Sequence, residues 1–383
     1  MKAVKPFAIL AVAGLSVGVF AILAAQQGPT SDSSETVAKP RKKPADGEAA
    51  PPADADQPKI PSKYNKKDKD IPEGTTTFRS DVNAVTVDVA VLDNKGHFIP
   101  KIPRGNFRVL EDGVPQKVNG FSLGEAPMTV CMVIEFSARF QSYWSYTWYQ
   151  TLQASYGFLE TLKPDDYVAV IAYDMKSEIL SDFSQDKRTA YEAMQRLRIP
   201  GFSEANLFDA LVDAEQRMTD IEGRKAILLI ASGIDTFSKL TFDKARKAIQ
   251  TAGVPIYAIG LMQTYRELAD AYGMMGPLQR LDFLQADNQM RTFSKETGGM
   301  SFFPRFEGEM PGIFRQVSDS LRNQYTLSYN PSNTARDGKF RRIKVDLVNP
   351  ENNEPLRIVD EKGKAIKYQV IAKAGYTAPR EVE

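Results

Sequence analysis

The chain has 383 residues, of which 42% are hydrophobic and 25% charged, and its 49 Lys and Arg residues almost balance its 48 Asp and Glu residues. This is the composition of a globular protein with one large or two modest cores, and the balanced charge argues against nucleic acid as a partner. The single cysteine, Cys131, and single histidine, His97, exclude an intramolecular disulfide and a metal site made of several such residues.

The N-terminus has the pattern of an export signal. Lys2 and Lys5 precede an uncharged, largely apolar stretch that runs from Pro6 to Ala25. Residues 1–25 therefore predict a signal peptide or, since the stretch is close to the ~20 residues that cross a bilayer, an uncleaved membrane anchor. Either alternative places the protein in the periplasm, the cell envelope or outside the cell.

Residues 26–75 are rich in proline, alanine and charged residues and contain almost no large apolar side chain. Such a segment cannot bury enough surface to offset the entropy lost on ordering, so we predict a disordered linker.

Alternating apolar and polar residues mark β-strands on both sides of a central region. The alternation covers three early strands near Val85–Val91, Phe107–Leu110 and Gln116–Leu123, and returns after Asn323, ending in a strand over Tyr368–Ala374. His97 lies beside a turn and is interpreted as an exposed turn residue. Because isolated hairpins are marginal, residues 76–126 and 325–379 are predicted to combine into one all-β, immunoglobulin-like sandwich.

The central region, residues 127–324, alternates apolar runs with amphipathic helices, which predicts a doubly wound, mostly parallel α/β sheet of Rossmann-like type. The predicted strands are Thr129–Ile134, Tyr167–Tyr173, Ala226–Ile230, Ile256–Leu261 and Met300–Phe303. Helices are predicted from near Ser203, from about Phe242 to Gly253, and around Phe314. Asp165 and Asp166, after Pro164, are interpreted as turn residues. The α/β domain is thus predicted to be an insertion in the sandwich.

Ligands of open α/β sheets bind beyond the carboxyl ends of the strands, so the loops there carry the functional prediction. These loops read Glu135-Phe136-Ser137-Ala138-Arg139, Ser203-Glu204-Ala205-Asn206-Leu207 and Ser232-Gly233-Ile234-Asp235. With the Glu296–Gly299, Leu321–Tyr325 and Lys373–Tyr376 segments, they resemble the von Willebrand factor A family, specifically its secreted bacterial members, often found in Acidobacteria. The resemblance implies an α/β domain that binds proteins, often through a metal held by an Asp-x-Ser-x-Ser loop, a Thr and a later Asp.

The match to this metal motif is degenerate. Ser137 agrees with the motif, whereas Glu135 stands at the first Asp, Arg139 at the second Ser, Ala205 at the Thr and Ser232 at the later Asp. A divalent cation needs several oxygen ligands, and a guanidinium nearby repels it. We therefore predict that the rim, the surface formed by these loops at the carboxyl ends of the strands, binds no metal and that Arg139 pairs with Glu135 there. The alternative retains Mg²⁺ through Glu135, Ser137 and either Asp235 or Asp174.

Aromatic residues crowd the segment after the first of these loops, and include Tyr143 and Trp144. They predict either a partner-binding surface or a helix packed on the sheet. The stretch from Gln263 to Leu284 is interpreted as a loop and a second contact site.

No constellation typical of an enzyme is present, and Cys131 lies inside an apolar strand, where a thiol is usually inert. The sequence thus predicts a non-enzymatic exported protein that binds a protein partner through the rim. A structural scaffold of the envelope is the competing function.

Overall fold

The computed structural model describes residues 84–124, 126–138, 147–197, 202–360 and 362–380. These residues belong to one compact unit, which spans Ser62–Glu383. The described strands are β1 (Val85–Asp93), β2 (Phe107–Glu111), β3 (Val114–Gln116), β4 (Val118–Gly124), β5 (Met128–Glu135), β6 (Tyr167–Tyr173), β7 (Ser177–Ser184), β8 (Arg224–Ala231), β9 (Ile256–Gly260), β10 (Ser301–Phe302), β11 (Gln324–Tyr329), β12 (Phe340–Leu347), β13 (Tyr368–Ala372) and β14 (Gly375–Thr377). The described α-helices are α1 (Thr147–Thr161), α2 (Lys187–Gln195), α3 (Leu207–Thr219), α4 (Phe242–Ala252), α5 (Gln263–Ala271), α6 (Pro277–Thr297) and α7 (Met310–Arg322).

The central region folds as an α/β domain around a six-stranded sheet of order β10-β9-β8-β5-β6-β7. All neighbours pair in parallel except β6 and β7. The uninterrupted apolar runs of β5, β6 and β8 are buried because helices cover both faces of the sheet. Side chains of α3, α4 and α6 pack on one face, and those of α1, α2 and α7 pack on the other.

Three details of the α/β domain differ from the sequence prediction. The polar strand β7 was not predicted, because an antiparallel edge strand lacks the buried apolar run that identified the others. The first residue of α3 is Leu207, not Ser203. The Gln263–Leu284 stretch is helical, not a loop: α5 fills its first part, and Pro277 begins α6 at a position where a missing N–H costs nothing.

The remaining strands form two four-stranded antiparallel sheets, of order β13-β1-β11-β4 and β14-β12-β2-β3. Apolar side chains from both sheets share one core, which includes Val87, Val109, Tyr325 and Val345. The predicted strand over Tyr368–Ala374 is interrupted at Lys373, where the chain passes from the first sheet to the second. Gly375 permits this crossing, since a Cβ there would lie 2.1 Å from the carbonyl oxygen of Arg341.

The chain passes between the paired sheets and the α/β domain at two adjacent places, between Gly124 and Met128 and between Arg322 and Gln324; Gln324 pairs with Gly124. A buried ion pair holds both crossings. Asp166 Oδ2 accepts a hydrogen bond of 2.5 Å from Arg322 Nη2, and Asp166 Oδ1 accepts one of 3.0 Å from the N–H of Met128. Asp166 closes a turn as predicted, since its N–H donates to the carbonyl oxygen of Lys163 at 3.1 Å. Its buried side chain, which the sequence did not predict, in addition connects the two crossings.

Burial disfavours the charged form of Asp166, but the hydrogen bonds from Arg322, Met128 and Lys163 outweigh it and lower the pKa of this carboxyl. Arg224, at the start of β8, donates to the carbonyl oxygens of Leu321 and Arg322, so the same corner also satisfies the last carbonyls of α7.

A second contact joins the two parts where α6 ends. The N–H of Ala374 donates to the carbonyl oxygen of Glu296 at 2.9 Å. Gly298 has φ of 83°, and a Cβ there would lie 2.6 Å from the backbone nitrogen of Lys373. The Glu296–Gly299 and Lys373–Tyr376 segments, which carried part of the family resemblance, thus contact each other.

None of the helices in the described ranges combines the length and apolarity needed to cross a membrane. The predicted signal or anchor, residues 1–25, and the predicted linker, residues 26–75, lie outside the described residues.

Replacing Asp166 with Asn should destabilise the protein by about 3–5 kcal/mol, because it leaves the buried Arg322 guanidinium without its counter-charge. Urea unfolding at neutral pH measures the loss. Asp165→Asn is the matched control, since Asp165 is exposed one residue away. Equal stability of the two variants would contradict the role assigned to the ion pair.

Candidate functional site

The carboxyl ends of β5 and β8 meet at one edge of the α/β sheet, and Glu135 lies at this edge as the last residue of β5. Its side chain is almost completely buried, with a residue exposure of 2%. Ser137 follows two residues later, Ser232 comes directly after β8, and Tyr173 is paired with Glu135 on β6. We call the surface around these residues the rim.

Hydrogen bonds occupy both carboxylate oxygens of Glu135. Oε1 accepts from the hydroxyl of Ser137 at 2.8 Å. Oε2 accepts from the N–H of Ser232 at 2.8 Å and from its hydroxyl at 2.7 Å. The carboxylate therefore ties the loop after β5 to the loop after β8.

Burial raises the pKa of Glu135, although the hydrogen bonds from Ser232 and Ser137 oppose this effect. Burial also raises the pKa of Tyr173, and the neighbouring charge of Glu135 raises it further. Protonation of Glu135 is thus easier in the folded protein than in the unfolded chain.

The loop before α3 completes the rim through its backbone. The hydroxyl oxygen of Thr236 accepts from the N–H of Ala205 at 2.9 Å, and the N–H of Thr236 donates to the carbonyl oxygen of Ala205 at the same distance. Asp174, which directly follows β6, also contacts the chain before α3: its Oδ2 accepts a hydrogen bond from the N–H of Phe202 at 3.2 Å.

The side chain of Asp235 accepts a hydrogen bond from the first turn of α3. Its Oδ1 accepts from the hydroxyl of Ser238 at 2.5 Å and from the N–H of Phe208 at 3.3 Å. Such acceptors satisfy the free N–H groups of a first helical turn. Burial raises the pKa of Asp235, and the hydrogen bonds from Ser238 and Phe208 oppose the rise.

The structure brings together Glu135, Ser137 and Ser232 in direct contact and places buried Ala205 in the adjoining loop. Arg139, Tyr143 and Trp144 lie outside the described residues. The sequence prediction missed Tyr173, Thr236 and Ser238. Their positions just at or beyond strand ends were the available signal, but their partners are set by tertiary contacts.

Two other residues considered in the sequence do not join the rim. Cys131 is buried within β5, and burial raises the pKa of its thiol to about 12, as expected for an unreactive cysteine. His97 is exposed and contacts Asp93 through Nδ1 at 3.3 Å. Within the described part of the chain, no group of three or more His, Cys, Asp or Glu residues is arranged to hold a metal ion.

Residues 133–296 match the family model of the von Willebrand factor type A domain. The fold is similar to the vWF domain of the type V pili tip protein Mfa5 from Porphyromonas gingivalis, with 13% identity, a TM-score of 0.40 and coverage of 51% of this chain and 94% of that one. It is also similar to a von Willebrand factor type A protein from Catenulispora acidiphila, with 12% identity, a TM-score of 0.41 and coverage of 78% and 76%.

A third similar structure is proximal thread matrix protein 1 from the mussel byssus, with 12% identity, a TM-score of 0.41 and coverage of 55% of this chain. The match spans 50% of the mussel protein. Comparison with curated protein sequences gave no match.

The raised pKa of Glu135 predicts a pH-dependent effect of Glu135→Gln. Between the ordinary pKa near 4.5 and its raised value, the folded protein binds the proton more than the unfolded chain does, so this residue lowers the free energy of unfolding as pH rises. Glutamine retains hydrogen-bonding groups but cannot ionise. The free energy of unfolding of Glu135→Gln minus that of the wild type should therefore be larger at pH 8 than at pH 5. Urea unfolding of both proteins at the two pH values measures this difference.

Glu178→Gln, at an exposed position on β7, is the matched control and should show a smaller difference between the two pH values. A stability difference between Glu135→Gln and wild type that is independent of pH would contradict the assignment.

Proposed function

We propose that the protein binds a protein partner through the rim around Glu135, without a metal ion, on the basis of the match of residues 133–296 to the von Willebrand factor type A model. The observation that carries the proposal is the engagement of both Glu135 oxygens by Ser137 and Ser232. The rim is thereby held in one arrangement by the chain's own hydrogen bonds.

The donor set supports a metal-independent site. Hard divalent cations require several oxygen ligands in near-octahedral geometry. Ala205 offers no side-chain oxygen, Ser232 replaces a carboxylate by a hydroxyl, and Asp235 is engaged by α3 and Ser238. The residues present therefore fit Mg²⁺ poorly.

Arg139 supplies the positive charge in this proposal. It follows Glu135 by four residues in the loop after β5 and stands where the family motif has a serine. A guanidinium can form paired hydrogen bonds with a carboxylate, either that of Glu135 or one from the partner. We propose that it replaces the electrostatic role of the ion.

Tyr143 and Trp144 extend the proposed contact surface beyond Arg139. Tyrosine, tryptophan and arginine contribute most strongly to protein interfaces, because they bury large areas and keep a polar group for hydrogen bonding. Their position directly after the rim loop supports a shared surface.

The proposal places the protein in the periplasm, the cell envelope or the extracellular space, on the basis of the export pattern in residues 1–25. In it, the paired sheets are an immunoglobulin-like sandwich that presents the α/β domain, and the protein is not an enzyme. The competing functions are metal-dependent adhesion through Glu135, Ser137 and Asp235, and a structural scaffold of the envelope.

Calorimetric titration with Mg²⁺ and Mn²⁺ tests metal independence. The wild-type protein should show no binding tighter than about 1 mM, because the ligand set is incomplete. A variant that combines Glu135→Asp, Arg139→Ser, Ala205→Thr and Ser232→Asp restores the motif and should bind more tightly. Binding by the wild type tighter than about 1 mM would overturn the metal-free proposal.

Affinity purification from the native envelope tests the rim as a binding surface. Arg139→Ala, and separately Tyr143→Ala combined with Trp144→Ala, should reduce recovery of the wild-type protein's partner by at least about tenfold, since such anchors contribute roughly 1.4 kcal/mol or more each. Arg357→Ala, at an exposed position in the 348–367 connection between β12 and β13, is the matched control.

Thermal unfolding of the aromatic variant distinguishes the alternatives for Tyr143 and Trp144. A midpoint within a few degrees of wild type agrees with surface residues, whereas a large decrease would indicate helix packing on the sheet. Unchanged recovery of partner by both rim variants would favour the scaffold function.

A further inference from the structure

A large cleft lies between the α/β domain and the paired sheets, away from the rim. Its volume is about 1020 Å³, at the upper end of the range for ligand sites. The end of α6 and strand β10 line one side, and strands β12 and β13 line the other. We call it the seam cleft.

The seam cleft carries an excess of positive charge. Five cationic side chains line it, against one carboxylate, that of Asp346. The cations are Arg108, Arg291, Lys295, Lys344 and Lys373. Asp346 already pairs with Arg108 at 3.2 Å and with Lys344 at 3.0 Å. Among the described residues, Arg291, Lys295 and Lys373 line the cleft and form no salt bridge. Two of them have other partners: Arg291 lies over the Phe303 ring and near Asp287, and Lys373 interacts electrostatically with Asp88.

Buried polar atoms in the lining lack hydrogen-bond partners. Ser294 is 1% exposed, and its hydroxyl has no partner within the described structure. The Nε of Arg108 is likewise buried and unpaired. Burial also lowers the pKa of Lys373, although the charge of Asp88 opposes this effect. Since unpaired buried polar groups cost free energy, a ligand with acceptor oxygens would be stabilised here.

The cleft also exposes the edges of two β-strands. Strand β14 pairs only with Phe340–Arg342, so the rest of β12 has no strand on that side. Ile343 N–H donates to Ala374 at this edge, and the carbonyl oxygen of Leu347 accepts from Leu356. Backbone groups of alternate residues in a strand point to the same edge, so the N–H and C=O of Val345 point to the same edge of β12 as those of Ile343 and Leu347. Val345 itself is largely buried, with 8% exposure.

Strand β13 provides the second edge. It is the last strand of its sheet, and its residues Tyr368–Ala372 line the cleft along their whole length. Unpaired backbone groups along such an edge are the groups that an added peptide strand uses.

We infer that the seam cleft binds an extended peptide segment bearing carboxylate side chains. Backbone groups of the peptide pair with the free edge of β12 or β13, and its carboxylates contact Lys295, Lys373 and Arg291. Apolar lining from Tyr368, Val370 and Phe302 accepts the side chains that alternate with the acidic ones. This inference is independent of the proposed binding at the rim.

Fluorescence anisotropy with the full-length protein tests the inference. The probe is a short fluorescein-labelled peptide of alternating valine and glutamate. Saturable binding with Kd below about 1 mM at low salt is expected, and the peptide with glutamine in place of glutamate should bind at least about fivefold more weakly. No saturable binding, or equal binding of the glutamine peptide, would overturn the inference.

Variants locate the binding. Lys295→Gln combined with Lys373→Gln should weaken the acidic peptide at least about fivefold, whereas Lys362→Gln combined with Lys364→Gln, at two exposed positions outside the cleft, should not. Equal effects of the two double variants would place the binding elsewhere. Arg139→Ala should leave the peptide affinity unchanged, so the rim and the cleft are tested separately.

Two further probes separate a peptide from other anions. A peptide N-methylated at alternate positions should lose affinity, because it cannot donate to a strand edge. An oligomer of galacturonic acid carries carboxylates without a peptide backbone and should bind more weakly than the acidic peptide. Binding of the uronic acid oligomer as tight as that of the peptide would replace the peptide inference with a glycan site.

Discussion

The buried pair of Asp166 and Arg322 determines how the two parts of the molecule are joined. The pair lies where the chain enters the α/β domain at Met128 and leaves it after α7. Two charges are expensive to bury, and a pair of apolar residues of similar size would often be as stable. The pair instead fixes the geometry of the joint. The Asp166 carboxylate accepts hydrogen bonds from Met128, Lys163 and Arg322, so it holds both crossings and the turn before β6 together.

This joint has a consequence for the proposed binding surface. Asp166 precedes β6, Met128 starts β5 and Arg224 starts β8, so the paired sheets attach at the amino ends of the parallel strands. Gly299, which packs against Ile256 at the start of β9, belongs to the same side. Glu135 and Ser232 lie at the opposite, carboxyl ends of β5 and β8. The joint therefore leaves the rim uncovered by the paired sheets.

Sequence patterns predicted the elements whose signal is local, and failed where partners are distant. The apolar runs of β5, β6, β8 and β9 identified these strands, because burial on both faces leaves a composition that is visible in one segment. Asp166 was predicted to be a turn residue because Pro164 and Asp165 precede it, and its N–H does close that turn on Lys163. The sequence did not predict its ion pair, because Arg322 is 156 positions away. At the rim, alignment to a family motif selected Glu135, Ser137 and Ser232, but it could not show that both serines would donate hydrogen bonds to the glutamate.

That difference in hydrogen bonding changes what can control the rim. In a site that holds a hard divalent cation, hydroxyl oxygens supply lone pairs to the ion. Here the Ser137 and Ser232 hydroxyls donate hydrogen bonds to Glu135. Burial raises the pKa of Glu135, so the proton on this carboxyl can also change the charge of the rim. Under the proposed function, a partner must therefore gain its affinity from side chains around this carboxyl, and the charge it meets there depends on pH instead of on the concentration of a metal ion.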